Sequence, residues 1–305
     1  MGTGSYTSSD WNHLRGKKGL TTDSNFDKVF VNRDTLSLYD SRRVQLRESR
    51  DSAESPNSTP IIIGFDATAS MGYLAKELAV NSLNNTIMSL YENQIVSDPH
   101  ILCSAIGDCK SDRSPLQVTQ FEADIRIIEQ LTDLFLEGGG GGNGGESYNL
   151  LWYFAARHTQ SDCYEKRQKK GFLFTIGDDQ CHKDLSIVEI RNVFNDQTQY
   201  SLSNEELLRM VREKYHVFHI HIETGHYDDQ QIVSAWKKLL PGYATTIHKH
   251  DICYLSFLIT AIMAVTNGAD VNQTLKQMDQ SVAERIARSM ALIHVEHQSK
   301  CTISF

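Results

Sequence analysis

The stretch Pro60-Ile-Ile-Ile-Gly-Phe-Asp-Ala-Thr-Ala-Ser-Met-Gly72 joins a predicted buried strand to a loop of oxygen-bearing side chains. Its apolar first half has no polar alternation, which is typical of a strand covered on both faces in a parallel sheet. Asp66, Thr68 and Ser70 follow at alternate positions, and a helical pattern begins at Tyr73. Because ligands bind at the carboxyl edge of such sheets, the stretch predicts a site at that edge.

The rest of the chain continues to alternate between strand and helix patterns. Further strands are predicted over residues 100–107, 171–177, 216–222 and 244–248, with a short edge strand at 117–121. Helices are predicted between them, including an apolar one from about 252 to 266. Alternating strands and helices favour parallel pairing with right-handed crossovers. We therefore expect an α/β fold, a doubly wound, mainly parallel sheet with helices on both faces.

Composition divides the chain into three parts. Residues 1–59 are rich in Ser, Thr, Asp, Asn and Arg, and they predict an extended arm with one short strand that lies on the main domain. Residues 60–270 carry the α/β pattern, and residues 271–305 predict a C-terminal helix and tail. With 305 residues and 40% hydrophobic content, the chain is long enough to bury one large core.

Charge and cysteine usage narrow the class of protein. The formal net charge of −8 argues against a general nucleic-acid binder, which normally carries a basic face. Six scattered cysteines without a C-x-x-C pair predict reduced thiols in an intracellular, cytoplasmic protein. The apolar stretch Ile252 to Val265 is shorter than the roughly 20 residues that cross a bilayer, so we expect a buried helix and no membrane partner.

The loop after the first buried strand has the chemistry of a cation site. Asp66, Thr68 and Ser70 offer one carboxylate and two hydroxyls, which are ligands that suit Mg²⁺ or Mn²⁺. Capping of the following helix is the alternative explanation. This D-x-[ST]-x-S pattern behind a buried strand resembles the metal-ion-dependent adhesion site (MIDAS) of the von Willebrand factor A (vWA) family, with Thr68 where serine is commoner.

The resemblance implies two further metal-site loops at the same edge. In the family, the third loop supplies an aspartate that reaches the ion, usually through water, and Asp178 takes that position. The second loop supplies a threonine, which is missing from the matching glycine-rich segment Gly138 to Gly145. Ser147 is the best substitute by chemistry, with Glu146 and Asn143 as further oxygen donors. A nucleotide-binding role for the glycines is disfavoured because they follow a helix and lack a G-K-[ST] tail.

The vWA resemblance implies a protein-binding module and not an enzyme. In such a module a divalent cation bridges the site to a carboxylate of a partner protein, and inside cells these modules assemble complexes, often with ATPase machinery. The alternative is a haloacid-dehalogenase-like phosphatase that uses Asp66 as its nucleophile. That signature requires a second aspartate to protonate the leaving group, and Thr68 occupies its position.

Overall fold

The computed structural model describes residues 4–21, 23–68, 71–137 and 145–295. The strands are β1 Arg47–Ser49, β2 Thr59–Asp66, β3 Pro99–Ile106, β4 Leu116–Val118, β5 Thr159–Ser161, β6 Gly171–Gly177, β7 Asp184–Leu185, β8 Leu202–Ser203, β9 Tyr215–Glu223 and β10 Ala244–His248. The α-helices are α1 Ser8–Lys18, α2 Phe26–Val29, α3 Gly72–Glu77, α4 Leu83–Glu92, α5 Arg126–Thr132, α6 Tyr148–Arg157, α7 Asp162–Arg167, α8 Ile187–Phe194, α9 Asn204–Val211, α10 Asp229–Leu239, α11 Leu255–Thr266, α12 Val271–Lys276 and α13 Gln280–Met290. A π-helical turn, Leu78–Ser82, joins α3 to α4, and a 3₁₀ helix, Lys249–Tyr254, leads into α11.

Within these residues, six strands form the main sheet in the order β10-β9-β6-β2-β3-β4. On β2, Ile61 pairs with Ile101 of β3 on one side and with Phe172 of β6 on the other. Neighbouring strands run parallel except β4, which runs antiparallel to β3 at the edge. The predicted α/β class with a mainly parallel sheet is confirmed.

Helices cover both faces of the sheet, and alternate residues of β2 contact the helices on opposite faces. Ile61 and Ile63 belong to a buried cluster that includes residues of α3, α4 and α11. Ile62, between them, belongs to a second cluster with residues of α6, α9 and α10. All three isoleucines are 1% exposed or less, which explains the continuous apolar run in the sequence.

The apolar helix predicted at about 252–266 is α11 with part of the 3₁₀ helix before it. In the described part of the chain, one helical stretch, Lys249–Thr266, is long and apolar enough to cross a membrane. However, 56% of that stretch is buried inside the protein. Residues of α11 such as Leu258 and Ile262 are fully buried in the core with α3 and α4. Such burial is typical of a core helix.

The N-terminal arm contains more structure than the extended chain predicted for residues 1–59. It includes a short strand, β1, which pairs in parallel with β5. It also forms α1 and α2, and Trp11 and Leu14 of α1 are buried in the same core as α4. The expectation of extended chain missed α1 because its two buried apolar residues lie in an otherwise polar segment with weak helical periodicity.

At the other end, residues 271–305 were expected to form one helix and a tail. The structure has α12 and α13 over this part, and residues 296–305 lie outside the described residues. The two helices are separated at Asp279, which precedes α13.

His100 on β3 predicts a pH dependence of stability. Its side chain is fully buried, with Nδ1 3.2 Å from the Ser49 hydroxyl, and burial lowers its pKa to about 4. The unfolded state binds a proton at the ordinary histidine pKa of about 6.5, whereas the folded state keeps the imidazole neutral down to about pH 4. The free energy of unfolding is therefore highest above pH 6.5 and decreases as the pH falls toward 4. For this histidine alone, a fall from pH 7 to pH 5 costs about 2 kcal/mol.

Urea unfolding of the wild type and of a His100→Leu variant checks this expectation. Between pH 7 and pH 5 the variant should lose about 2 kcal/mol less of its unfolding free energy than the wild type. Comparing the two losses isolates this histidine, because other titrating groups are shared by both proteins. The same loss in both proteins would contradict the expectation.

Candidate metal centre

Asp66 and Asp178 lie at the ends of neighbouring parallel strands. Asp66 is the last residue of β2, Asp178 directly follows β6, and Phe65 pairs with Ile176 across these strands. Asp66 is fully buried. The structure therefore places these two carboxylates at one sheet edge, where parallel strands present ligands.

Both carboxylate oxygens of Asp66 accept hydrogen bonds. Oδ1 accepts from the backbone N–H of Thr68 at 2.8 Å and from its hydroxyl at 2.6 Å, and Oδ2 accepts from the Tyr148 hydroxyl at 3.1 Å. The Thr68 hydroxyl, which donates its proton to Asp66, presents oxygen lone pairs as a cation ligand must. Ser70, the third predicted first-loop ligand, lies outside the described residues.

Burial and a neighbouring negative charge disfavour the ionised form of Asp66. Burial raises its pKa to about 7, hydrogen bonds from Thr68 oppose that rise, and the nearby charge of Asp178 adds to it. The pKa of Tyr148 is raised as well, first by burial, then by the charge of Asp66 and then by that of Asp178. A bound cation would favour the ionised form of Asp66 by direct attraction.

Ser147, the predicted second-loop ligand, is directed to a different partner. Its hydroxyl donates to Asp108 Oδ1 at 3.1 Å and accepts from the backbone N–H of Cys109 at 3.0 Å. Asp108 follows β3, the strand on the other side of β2. The structure thus uses Ser147 to join the second loop to the end of β3, and the role of Ser147 as a second-loop ligand stays a prediction. Asn143 lies outside the described residues.

Glu146, a further oxygen donor predicted for the second loop, is buried beside the third loop. It is 3% exposed, and its Oε2 atom has no hydrogen-bond partner among the described residues. Its backbone N–H donates to Gln180 at 2.9 Å and its carbonyl accepts from His182 at 3.1 Å, so it is fixed beside the third loop. Burial, followed by the charge of Asp66 and of Asp108, raises the pKa of Glu146 to about 9.

The unpartnered Oε2 atom of Glu146 indicates that the residues at this edge fit a divalent cation. A buried carboxylate oxygen without a partner is costly, and a cation next to it removes the cost. Among the described residues, no group of three His, Cys, Asp or Glu side chains is arranged to hold a metal ion by itself. A cation at Asp66 and Glu146 would accordingly need hydroxyl or water oxygens as further ligands, which suits Mg²⁺.

A buried histidine–aspartate pair supports the second and third loops. His182 Nε2 lies 2.9 Å from Asp108 Oδ1, and its Nδ1 lies 3.2 Å from Lys110 Nζ. Asp108 was not predicted as a site residue, although its position directly after the buried strand at 100–107 was a usable signal. Tyr148 was missed too, because nothing in a sequence directs a tyrosine hydroxyl to a particular carboxylate.

Comparison with known proteins finds similar solved structures at low sequence identity. No protein-family model matches the chain, and the search of curated proteins found no match. Among solved structures, the pilus adhesin SpaC from Lactobacillus rhamnosus GG, in its open conformation, is similar at 8% identity with a TM-score of 0.46, over 77% of this chain and 31% of that one. Proximal thread matrix protein 1 from the mussel byssus is similar at 11% identity with a TM-score of 0.44, over 68% of this chain and 48% of that one.

A second structure of the mussel protein, described as having a zinc-occupied MIDAS motif, is similar at 12% identity with a TM-score of 0.41, over 68% of this chain and 48% of that one. The chain spans about a third to a half of the length of these proteins. With TM-scores below 0.5, these similarities carry no conclusion about what this chain binds.

Proposed function

We propose that this chain is a vWA-type module that binds one divalent cation, Mg²⁺ or Mn²⁺, at the carboxyl edge of its sheet. The observation that carries the proposal is the buried, unpartnered Oε2 atom of Glu146 beside the buried carboxylate of Asp66. Two carboxylates that lack a counter-charge in a buried site are stabilised by a cation more than by any other ligand.

The roles of the individual residues follow from their chemistry. Asp66, Thr68 and Glu146 supply a first-loop carboxylate, a first-loop hydroxyl and a second-loop carboxylate. Asp178 acts through water and Ser70 supplies a second hydroxyl, as the vWA resemblance implies. Mg²⁺ releases its water reluctantly, so it keeps several waters in such a site. The bound ion supplies positive charge and a coordination position for an oxygen ligand from outside.

Separate substitutions of the two candidate second-loop residues, Glu146 and Ser147, test the proposal. We expect Glu146→Gln to weaken Mn²⁺ binding by about tenfold to a hundredfold, because it removes a charged ligand. Ser147→Ala should leave affinity close to wild type, because the Ser147 hydroxyl contacts Asp108 and Cys109. Isothermal titration calorimetry at neutral pH measures both. Weakening by Ser147→Ala alone would assign the ligand to Ser147.

The proposed activity of the loaded module is to bind a partner protein through a carboxylate. The charges that raise the pKa of Glu146 come from the acidic groups of this edge, namely Asp66, Asp108, Asp112 and Asp179. Without a cation this edge repels an acidic partner, and with a cation it offers an open coordination position.

A pull-down with immobilised protein tests this step. Proteins retained in Mg²⁺ should be released by EDTA and should not be retained by an Asp66→Asn variant. Mass spectrometry identifies the retained proteins, and the vWA resemblance suggests an intracellular assembly that includes ATPase machinery. Retention of the same proteins in EDTA and by the variant would show that the partner uses a different surface.

We also propose that the chain is not a phosphatase. In the structure both oxygens of Asp66 accept hydrogen bonds, and Thr68 stands where the second aspartate is required. A nucleophile engaged on both oxygens and without a leaving-group acid is poorly suited to turnover. Mg²⁺-dependent hydrolysis of p-nitrophenyl phosphate that Asp66→Asn abolishes would overturn this assignment.

A further inference from the structure

A cavity lies at the opposite end of the sheet from Asp66. It has a volume of about 860 Å³, and its walls include residues at the amino ends of three adjacent strands: Thr59 of β2, Phe172 of β6 and His216 of β9. The size is within the range of small-molecule sites, about 300–1,000 Å³. None of the described residues of the proposed cation site lines this cavity.

The walls of this cavity carry positive charge. Lys169 and Lys170 line it, and no Asp or Glu is present among its described lining residues. In a chain with 38 acidic and 30 basic residues, such a wall is opposite to the overall charge balance. Neither lysine forms an ion pair within the described ranges.

The basic residues at this end lie close together, and the imidazole of His216 is neutral at pH 7 because its pKa is low. Burial and the neighbouring charge of Arg212 lower the pKa of Lys170, while burial and Lys170 lower the pKa of His216 to about 4. Arg212 Nη2 is buried without a hydrogen-bond partner among the described residues, and the guanidinium lies 5.2 Å from the ring centre of Tyr243, which lines the cavity.

Glu213 is the acidic residue that attracts Lys170, and it lines a separate groove beside the cavity together with Arg212 and Lys170. That groove also contains Glu205 and Arg209, so its two carboxylates are matched in number by two guanidinium groups and do not neutralise the lysines of the cavity wall. Like charges held close together destabilise the folded protein, and an anion placed among them removes that cost.

We propose that this cavity binds a small organic phosphate, with the phosphate against Lys169 and Lys170. Ammonium groups are suitable partners for phosphate oxygens, and the hydroxyls of Thr59 and Ser97 offer further donors. The volume is much larger than a phosphate group, and Phe172 and Tyr243 provide aromatic wall for an apolar remainder.

Calorimetric titration of the full chain with phenyl phosphate tests this site. EDTA is present throughout, so that a cation at Asp66 cannot attract the phosphate. We expect saturable binding of one phenyl phosphate per chain, and inorganic phosphate about tenfold weaker because it lacks the ring. Sodium chloride at equal ionic strength should produce no saturable heat.

Two lysine variants with the same change of charge identify the residues. Lys170→Gln should weaken phenyl phosphate binding by about tenfold, because it removes one charge-assisted hydrogen bond. Lys183→Gln, at an exposed lysine outside the cavity, should bind like the wild type. Urea unfolding confirms that both variants are folded.

Hydrogen exchange locates the ligand. Phenyl phosphate should slow amide exchange in residues 168–172 and 266–268, which contribute to the cavity wall. The proposal is overturned if no saturable binding occurs, if both lysine variants lose affinity equally, or if neither does. Protection centred on residues 145–147 would place the ligand at the other end of the sheet and overturn it as well. None of these outcomes depends on divalent cation binding.

Discussion

Asp66→Asn is expected to weaken Mg²⁺ and Mn²⁺ binding by about a hundredfold or more, because it removes the charge of a direct ligand. Asparagine keeps the shape of the side chain. Its oxygen, at the Oδ1 position, accepts from Thr68, and its NH₂ group, at the Oδ2 position, donates to the Tyr148 hydroxyl, which can accept as well as donate. The variant should therefore fold, and at neutral pH its apo form should be as stable as the wild type, since one buried acidic group has been neutralised. Calorimetry with each cation measures the loss.

Asp184→Asn is the matched control for this substitution. Asp184 is an exposed residue of β7, outside the proposed site, and its replacement by asparagine changes the charge by the same amount. We expect it to bind cations like the wild type. If Asp66→Asn and the wild type bind with equal affinity, the proposed function fails at its first step, whatever the outcome at the phosphate cavity.

Gly177→Ala is expected to destabilise the protein by about 1–3 kcal/mol and to disrupt the cation site as well. A Cβ at this last residue of β6 would clash with the Tyr148 hydroxyl and lie 2.8 Å from Asp66 Cβ. The Tyr148 hydroxyl donates to Asp66, so it cannot move away without breaking that hydrogen bond. Glycine is required here because two side chains approach the backbone closely.

Urea unfolding and cation titration measure the two effects together. Gly16→Ala on α1 is the control, because a Cβ at Gly16 meets nothing within 4 Å. That substitution should stabilise the protein by about 0.5–1 kcal/mol, as alanine does in a helix interior. A Gly177→Ala protein with wild-type stability and cation affinity would show that the end of β6 can yield without disturbing Asp66.

The carboxylates at the strand ends could be predicted because the sequence encodes them locally. A continuous apolar run indicates a two-sided buried strand, and the first polar residue after it indicates where the strand ends. Asp66 and Asp178 both obey this pattern. Parallel pairing then places them at one edge, and this step needs only the alternation of strands and helices.

The contacts of the two second-loop residues could not be predicted in this way. Glu146 and Ser147 are neighbours that have different partners, and their directions depend on backbone hydrogen bonds from Glu146 to Gln180 and His182. Those partners are distant in the sequence, and no local pattern encodes the pairing. The π-helical turn Leu78–Ser82 was also unpredictable, since the residues 73–92 have a continuous helical pattern.

The arm also determines how a pulling force would enter the protein. Along the chain, β1 lies between the N-terminus and β2, and it is held by its pairing with β5. Two ion pairs reinforce this attachment, Arg50 with Asp162 at 2.9 Å and Arg167 with Asp51 at 2.7 Å. Tension applied through the arm would therefore load these bonds before it reached the strand that ends in Asp66.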